Sequence, residues 1–229
     1  MVGATRLSGT RWSQARWLVL APHADDETLG AGALIADAAR TGRLVAVVFL
    51  TDGTGSHPHP DAASRARLQA MRRAEARAAC RRLIGSCGPA PLFLDWPDAH
   101  PHAQGSPVWA EAVRSLAALC RRARVDAIAT TAREEPHCDH AAAGELAQDV
   151  AAAALRNVAV FDYFVWGAPP IRGRALETAA LAPGRRRAAL AAHRSQLTPA
   201  FGDGFRLPDD QRVMPVADRL YPRSRHVAS

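Results

Sequence analysis

The chain has 229 residues, with 29 basic and 22 acidic side chains and a formal net charge of +7. All 29 basic residues are arginine, which excludes chemistry that needs a lysine ε-amine, such as a Walker A phosphate loop or a Schiff base. Apolar residues make up 48% of the chain and charged residues 22%. These are ordinary values for globular proteins and exclude a wholly disordered chain.

The length predicts one domain, spanning residues 1–229. No apolar run reaches the roughly 18 residues of a membrane span, and no apolar stretch near the N-terminus precedes a small-residue cleavage site. We therefore expect no transmembrane segment and a cytoplasmic protein. The four cysteines are scattered, without a C-x-x-C pair, which favours reduced thiols.

The predicted elements alternate between strands and helices. In chain order they are a strand over 16–21, a helix over 29–40, a strand over 44–50, a helix over 62–83, a strand over 91–95, a helix over 107–124, a strand over 126–131, a helix over 139–155, a strand over 158–166 and a helix over 185–196. This alternation predicts an α/β fold, a three-layer Rossmann-like sandwich with a mostly parallel central sheet. We expect the core to cover about 16–197 and the tail over 198–229 to be irregular.

The first group of residues that suggests chemistry follows the first strand, as Pro22-His-Ala-Asp-Asp-Glu27. Ligands of parallel sheets bind beyond the carboxyl ends of the strands, where this group lies. If a helix has begun here, His23 and Asp26 lie on one side of its first turn and reach a single ion, while Asp25 projects about 100° away. Alternatively, the three acids only complement a helix N-terminus.

The second group, Glu134-Glu-Pro-His-Cys-Asp-His140, follows the strand over 126–131. It also lies beyond a strand's carboxyl end and at a predicted helix start. These histidines are either exposed loop residues or members of a site, and the repeated placement favours the site. His23, Asp26 and His140 would form a three-ligand set that leaves a position open, as catalytic zinc sites do.

Both groups resemble signatures of the PIG-L/LmbE-like deacetylases, zinc enzymes that remove N-acetyl groups from glucosaminyl and related amino sugars. Residues 22–27 are similar to Pro-His-Pro-Asp-Asp-Glu, and residues 137–140 to His-Pro-Asp-His, with Ala24 and Cys138 each replacing a proline. The resemblance extends from about Trp17 to Gln196. Further similarities are Thr51-Asp-Gly53, Arg72-Arg-Ala-Glu75 and His193-Arg-Ser-Gln196.

The resemblance implies roles for the matching positions. It implies His23, Asp26 and His140 as ligands of Zn²⁺ or another divalent transition metal, Asp25 as general base, and His137 as the group facing the tetrahedral intermediate. Amide hydrolysis also needs a proton for the leaving amine, and whether Asp25 or His137 supplies it stays open. Asp139 would hold the tautomer of His137 and raise its pKa.

Three further residues are candidates for substrate binding. Arg72 matches a position that the family uses for substrate hydroxyl or phosphate contacts; the alternative is a surface arginine paired with Glu75 at i, i+3. Asp98 is placed to accept hydrogen bonds from sugar hydroxyls or to form a turn. His193 is either a substrate contact, as the resemblance implies, or a structural residue.

The sequence therefore predicts a zinc-dependent N-deacetylase, a hydrolase acting on an amino sugar or glycoconjugate such as an N-acetylglucosaminyl compound. Whether the substrate is anionic and whether the protein forms an oligomer stay open. One alternative is a metal-dependent amidase acting on a non-sugar N-acyl natural product or thiol conjugate. Another is a basic nucleic-acid-binding module, which we do not expect, because the arginine pairs fall in alanine-rich helices without interleaved aromatic residues.

Overall fold

The fold is built on one eight-stranded sheet with helices on both faces. A computed structural model describes residues 3–59, 61–85, 88–171, 173–199 and 202–223. The strands are β1 (Gly3–Arg6), β2 (Trp17–Ala21), β3 (Leu44–Thr51), β4 (Leu92–Trp96), β5 (Ala127–Thr131), β6 (Ala159–Tyr163), β7 (Arg174–Glu177) and β8 (Arg219–Pro222). The α-helices are α1 (Asp26–Arg40), α2 (Ala62–Ile84), α3 (Pro107–Arg122), α4 (Cys138–Ala153), α5 (Arg185–Leu190) and α6 (Arg194–Leu197).

The strand order is β1-β7-β8-β6-β5-β2-β3-β4. Neighbouring strands run parallel except where β8 pairs antiparallel with β6 and β7. The predicted α/β architecture with a mostly parallel sheet is therefore confirmed.

The side chains of β2 alternate between two hydrophobic cores. Val19 packs into a core with Leu34 of α1 and Leu83 of α2. Leu20 points to the opposite face, into a core that includes Leu146 of α4. All five residues of β2 are buried, as expected for a central strand of a parallel sheet covered on both faces.

The position of β2 determines where a ligand can bind. β2 lies between β3 and β5, so the chain winds away from it in both directions and leaves a crevice at the carboxyl ends of β2 and β5. The loops over 22–25 and 132–137 emerge at this crevice. The fold thus brings together the two groups of residues that the sequence singled out.

Three short strands were not predicted. The prediction of an irregular tail over 198–229 is wrong for β8, whose Leu220 and Tyr221 are buried within the sheet. β1 also extends the sheet beyond the predicted core of 16–197. Strands of four residues are too short to carry a reliable periodic signal. Residues 200–201 and 224–229 of the tail lie outside the described residues.

The predicted last helix over 185–196 is interrupted. α5 ends at Leu190 and α6 begins at Arg194, with His193 between them at a ψ of 60°.

Elsewhere, Cys80, Cys120 and Cys138 are free thiols, while Cys87 lies outside the described residues. Among the described helices, none combines the length and apolar character needed to cross a bilayer.

α1 approaches the sheet closely because Gly30 lies against the ring of Tyr163. A Cβ atom at position 30 would lie 2.2 Å from Tyr163 Cδ2. The tyrosine is fully buried, and its hydroxyl donates to the Leu20 carbonyl at 3.2 Å. The ring is therefore fixed at both ends and has little room to yield.

We predict that Gly30→Ala lowers the free energy of unfolding by about 1–3 kcal/mol through overpacking, although alanine is the better helix former. Gly32→Ala is the matched control, because its Cβ would meet Leu83 Cδ2 at an ordinary 3.5 Å. The control should be neutral or more stable by up to about 1 kcal/mol. Urea unfolding followed by circular dichroism measures both. Equal effects of the two substitutions would contradict this packing.

Candidate active site

The turn between β2 and α1 points three consecutive acids in different directions. α1 begins at Asp26, and Asp25 precedes it with φ 134° and ψ −30°, a conformation that costs an L-residue about 1–3 kcal/mol. Asp25 and Asp26 both line a pocket, whereas Glu27 is fully buried. His23 lies ahead of the helix, where its backbone N–H donates to Asp26 Oδ2 at 2.9 Å. This side-chain bond, rather than the helix turn that the sequence suggested, brings His23 to Asp26.

His23, Asp26 and His140 form a group that fits a metal ion. Their candidate ligand atoms all lie within 4.8 Å of one another. Asp26 Oδ2 is 3.2 Å from His23 Nδ1 and 3.3 Å from His140 Nε2. Both ring nitrogens of the buried His140 face carboxylate oxygens at 3.3 Å, Nε2 that of Asp26 and Nδ1 that of Glu135, and neither contact meets strict hydrogen-bond geometry. Two imidazoles and a carboxylate are suitable ligands for a divalent transition metal.

The Asp139 carboxylate lies closer to His23 than to His137, the histidine that the resemblance implied. Its Oδ2 lies 2.9 Å from His23 Nε2 and 3.7 Å from His137 Nδ1. The same oxygen accepts the Ala99 backbone N–H at 2.8 Å. The carboxylate therefore holds His23, and it also anchors the loop after β4.

His137 is positioned by the backbone. It is the N-cap of α4, and its Nδ1 accepts the Asp139 backbone N–H at 3.3 Å. This bond places the ring proton on Nε2. Burial and the positive charge of His23 lower the pKa of His137, and together they outweigh the negative charge of Asp139, which acts to raise this pKa as expected. The side chain is 40% exposed and borders the pocket.

Burial and charge separate the pKa values of the carboxyl groups in the site. Burial and the negative charge of Asp26 raise the pKa of Asp25 to about 6. Burial also acts to raise the pKa of Asp26, but the charges and hydrogen bonds of His140 and His23 together outweigh it and the pKa falls. For Asp98, burial acts to raise the pKa, but the hydrogen bond with His23 and the positive charges of His23 and Arg72 together lower it to about 2. Asp26 and Asp98 are therefore anionic at neutral pH, which favours a cation beside them.

The pocket at this crevice has a volume of about 450 Å³, within the range of small-molecule sites. Its lining comprises His23, Asp25, Asp26, Gly55, Ser56, Arg72, Asp98, Ala99, Pro136, His137, Trp166, Gln196 and Phe205. The rings of Trp166 and Phe205 are 6.0 Å apart and meet edge to face. The pocket thus joins an aromatic wall to the His/Asp cluster.

Arg72 is a buried residue of this pocket rather than a surface arginine. It is 3% exposed, and its Nε and Nη1 have no hydrogen-bond partner among the described residues. Glu75, the alternative ion-pair partner, instead accepts the Ser195 backbone N–H at 2.8 Å and the Ser195 hydroxyl at 2.6 Å. The guanidinium therefore keeps donors available to a ligand.

The other two predicted substrate contacts have different positions. Asp98 lines the pocket, where its carboxylate accepts the Gly55 backbone N–H at 3.0 Å and lies 3.3 Å from His23 Nε2. His193 is fully buried, and its Nε2 lies 3.0 Å from Glu27 Oε1. The structure does not bring His193 to the pocket, so the expected substrate contact is corrected to a contact with Glu27.

Glu135 is a site residue to which the sequence assigned no role. It is buried, and its carboxylate accepts the backbone N–H groups of residues 165, 166 and 167 at 2.8, 3.0 and 3.1 Å. Its Oε2 also lies 3.3 Å from His140 Nδ1. One carboxylate therefore connects a candidate metal ligand to the loop that carries Trp166. The sequence signal for Glu135 is an acid at the start of the second group. The exposed Glu134 beside it has the same signal, so the sequence alone does not distinguish the two.

We predict that Glu135→Ala lowers the free energy of unfolding by about 2–4 kcal/mol, because three backbone donors lose their acceptor. Glu134→Ala is the matched control: this neighbour is exposed, and its removal should change stability by no more than about 0.5 kcal/mol. Chemical denaturation measures both variants. If Glu135→Ala is no more destabilising than Glu134→Ala, this account of Glu135 is wrong.

Comparison with known proteins agrees with the geometry. The structure is similar to N,N'-diacetylchitobiose deacetylase from Pyrococcus horikoshii (TM-score 0.62, 21% identity, covering 87% of this chain and 74% of that chain). It is also similar to a teicoplanin deacetylase in its zinc-inhibited form (TM-score 0.65, 20% identity, 93% and 100% coverage). A third similar structure is a 4-carboxy-2-hydroxymuconate hydratase from Pseudomonas putida KT2440 (TM-score 0.56, 18% identity, 100% and 99% coverage).

At these identities the structural likeness establishes the fold. The curated proteins include no match. A sequence profile of the family described as PIG-L, GlcNAc-PI de-N-acetylase, matches residues 18–151, more than half of the chain. The chain therefore belongs to the PIG-L (GlcNAc-PI de-N-acetylase) family.

Proposed function

We propose that this protein is a zinc-dependent hydrolase that removes an N-acetyl or N-acyl group from an amino sugar or glycoconjugate, such as an N-acetylglucosaminyl compound. The chain acts as a single deacetylase domain. One observation carries the proposal: Asp25 lies in the same pocket as His23 and Asp26, with His140 completing the group behind them. A candidate general base thus lies beside a candidate metal site, and this pairing supports metal-assisted amide hydrolysis.

The donor set and the neighbours support zinc as the metal. Zinc commonly takes histidine and carboxylate ligands and keeps a position open in catalytic sites. Two structural neighbours are deacetylases, and one of them is in a zinc-inhibited form. A third neighbour is a hydratase, so the fold by itself does not fix the reaction. The proposal therefore depends on the family and on the side chains in the pocket.

In the proposed reaction His23, Asp26 and His140 hold the metal. The bound ion would supply a Lewis acid that polarises the amide carbonyl and makes water more acidic. Asp25 takes the proton of the attacking water, and the amine nitrogen receives a proton, from Asp25 or His137, as the C–N bond breaks. His137 presents its Nε2–H at the pocket wall, where it donates to the oxygen that gains negative charge. Asp139 keeps His23 oriented, since its carboxylate lies 2.9 Å from His23 Nε2.

Arg72 and Asp98 are the proposed substrate contacts. The buried guanidinium of Arg72 offers unpaired N–H donors to a phosphate, a carboxylate or sugar hydroxyls. The carboxylate of Asp98 has the opposite charge and accepts hydrogen bonds from hydroxyl groups. Beside them, Trp166 and Phe205 offer apolar surface to the sugar ring.

We predict that Asp25→Asn lowers kcat/KM for N-acetylglucosamine by about 100-fold or more, because the base is lost. The variant should keep one zinc ion per chain, whereas His140→Ala should lose it. Amine release measures turnover, and elemental analysis measures zinc. Asp37→Asn is the control, because Asp37 lies on the same helix but pairs with Arg40 at the surface. Wild-type protein without stoichiometric zinc, or near-normal turnover by Asp25→Asn, would refute the proposal.

Arg72→Gln tests whether the buried guanidinium binds substrate. For N-acetylglucosamine 1-phosphate we predict a KM about 10–100-fold higher, the value of a hydrogen bond to a charged group, with zinc content unchanged. The KM for neutral N-acetylglucosamine should rise by a smaller factor. The control is Arg77→Gln, an exposed arginine on the same helix, which should leave KM unchanged. An equal rise in KM for both sugars would show that Arg72 does not bind an anionic group.

The same assay separates the sugar substrate from the alternative. N-acetylcyclohexylamine has the amide and a ring but no hydroxyl groups. We expect it to be hydrolysed far more slowly than N-acetylglucosamine, because it leaves Arg72 and Asp98 unpaired. Hydrolysis at equal rates would favour an amidase for non-sugar N-acyl compounds.

A further inference from the structure

The backbone at Asp25 requires outside support. Its φ of 134° places it among the few described non-glycine residues with a positive φ, and such conformations persist only where the surroundings enforce them. The residue is 5% exposed, so water cannot readily satisfy its peptide groups. Its carbonyl accepts the backbone N–H groups of Thr28 and Leu29, each at 2.9 Å. The other peptide group of Asp25, its backbone N–H, also needs a hydrogen-bond acceptor.

Glu27 is that partner. Its Oε2 accepts the Asp25 backbone N–H at 2.8 Å. Its other oxygen, Oε1, accepts the Thr28 hydroxyl at 2.6 Å and lies 3.0 Å from His193 Nε2. Both Glu27 and His193 are fully buried. Because both carboxylate oxygens are bound, Glu27 cannot turn away without breaking several contacts.

This arrangement goes beyond compensation of the helix dipole. Asp26 and Glu27 both lie in the first turn of α1, where an acid complements the helix dipole even when it is exposed to solvent. Glu27 instead turns back to a backbone N–H two residues earlier and is held from behind by a histidine of another segment. Dipole compensation requires neither contact.

We propose that Glu27 is a positioning residue, supported by His193, that holds Asp25 in its strained conformation and so directs the Asp25 carboxylate into the pocket. The inference rests on the proposed function, in which Asp25 is the general base. Without Glu27, the Asp25 N–H is buried without an acceptor and φ relaxes to a negative value. Such relaxation rotates the Cα–Cβ bond, and a displacement of about 1 Å at a reacting group costs about 100-fold in rate.

The first test compares Glu27→Ala with Glu27→Gln. With N-acetylglucosamine as substrate, Glu27→Ala should lower kcat about 100-fold while KM and zinc content stay near the wild-type values. Glu27→Gln keeps a carbonyl oxygen for the Asp25 N–H and should recover about tenfold or more of that loss. Asp218→Asn is the control, because Asp218 is a buried carboxylate that accepts a backbone N–H of the same helix, Leu34, and pairs with Arg186.

The control separates positioning from stability. Asp218→Asn should lower Tm but leave kcat unchanged. If Glu27→Ala lowers Tm and likewise leaves kcat unchanged, Glu27 has a structural role only and the proposal is overturned. Should Glu27→Ala fail to fold, His193→Ala removes only the support behind Glu27. We then expect kcat to fall about tenfold, and an unchanged kcat overturns the proposal.

A crystallographic test does not depend on activity. The wild-type protein should show a positive φ at residue 25, and Glu27→Ala, or His193→Ala if Glu27→Ala does not fold, should show it relaxed or the carboxylate displaced. A wild-type protein that hydrolyses none of the N-acetyl substrates defeats the proposed function. The crystal structures then decide separately whether Glu27 sets the Asp25 conformation. Unchanged geometry at residue 25 in the variant overturns the inference.

Discussion

Three consecutive carboxyl groups are buried at the carboxyl end of β2, and the rest of the site depends on how each is accommodated. Asp25, Asp26 and Glu27 are 5%, 1% and 0% exposed. A buried charge is tolerated only when it is paired, hydrogen-bonded or neutralised, and the three residues use different means. Asp26 lies between His23 and His140. Glu27 binds a backbone N–H, a hydroxyl and His193. Burial and the charge of Asp26 raise the pKa of Asp25 to about 6, and the positive charges of Arg72 and His193 limit that rise.

The fold makes this concentration of charge possible by bringing two helix N-termini to one crevice. α1 begins at Asp26 and α4 at Cys138, and both follow strands that are neighbours in the sheet. The positive end of each helix dipole offsets part of the negative charge. The close contact of Gly30 with Tyr163 keeps α1 against the sheet. A larger residue there would move the helix whose first turn carries Asp26 and Glu27, so packing and site geometry are coupled.

The sequence predicted the elements that carry the site better than the edges of the sheet. β2 and β5 are buried along their whole length and are followed by unusual His/Asp groups, and these signals are local. β1, β7 and β8 have four residues each, and their pairing depends on distant segments. Side-chain partners depend on distant segments too. The contact of Asp139 with His23 and that of His193 with Glu27 join residues 116 and 166 positions apart, beyond the reach of any local pattern.

The arginine-only composition has different consequences inside and outside the pocket. On the exposed face of α2, arginines such as Arg77 and Arg81 are solvated and contribute mainly to net charge. Arg72, on the same helix, is buried with unpaired N–H groups. A guanidinium stays charged at any physiological pH, so burial cannot neutralise Arg72 as it can neutralise a lysine or a carboxyl group. Negative charge nearby must compensate the buried guanidinium, and Asp25 provides part of that compensation. In the proposed function a ligand with an anionic group or several hydroxyls would supply the rest, so that substrate binding would also relieve this buried charge.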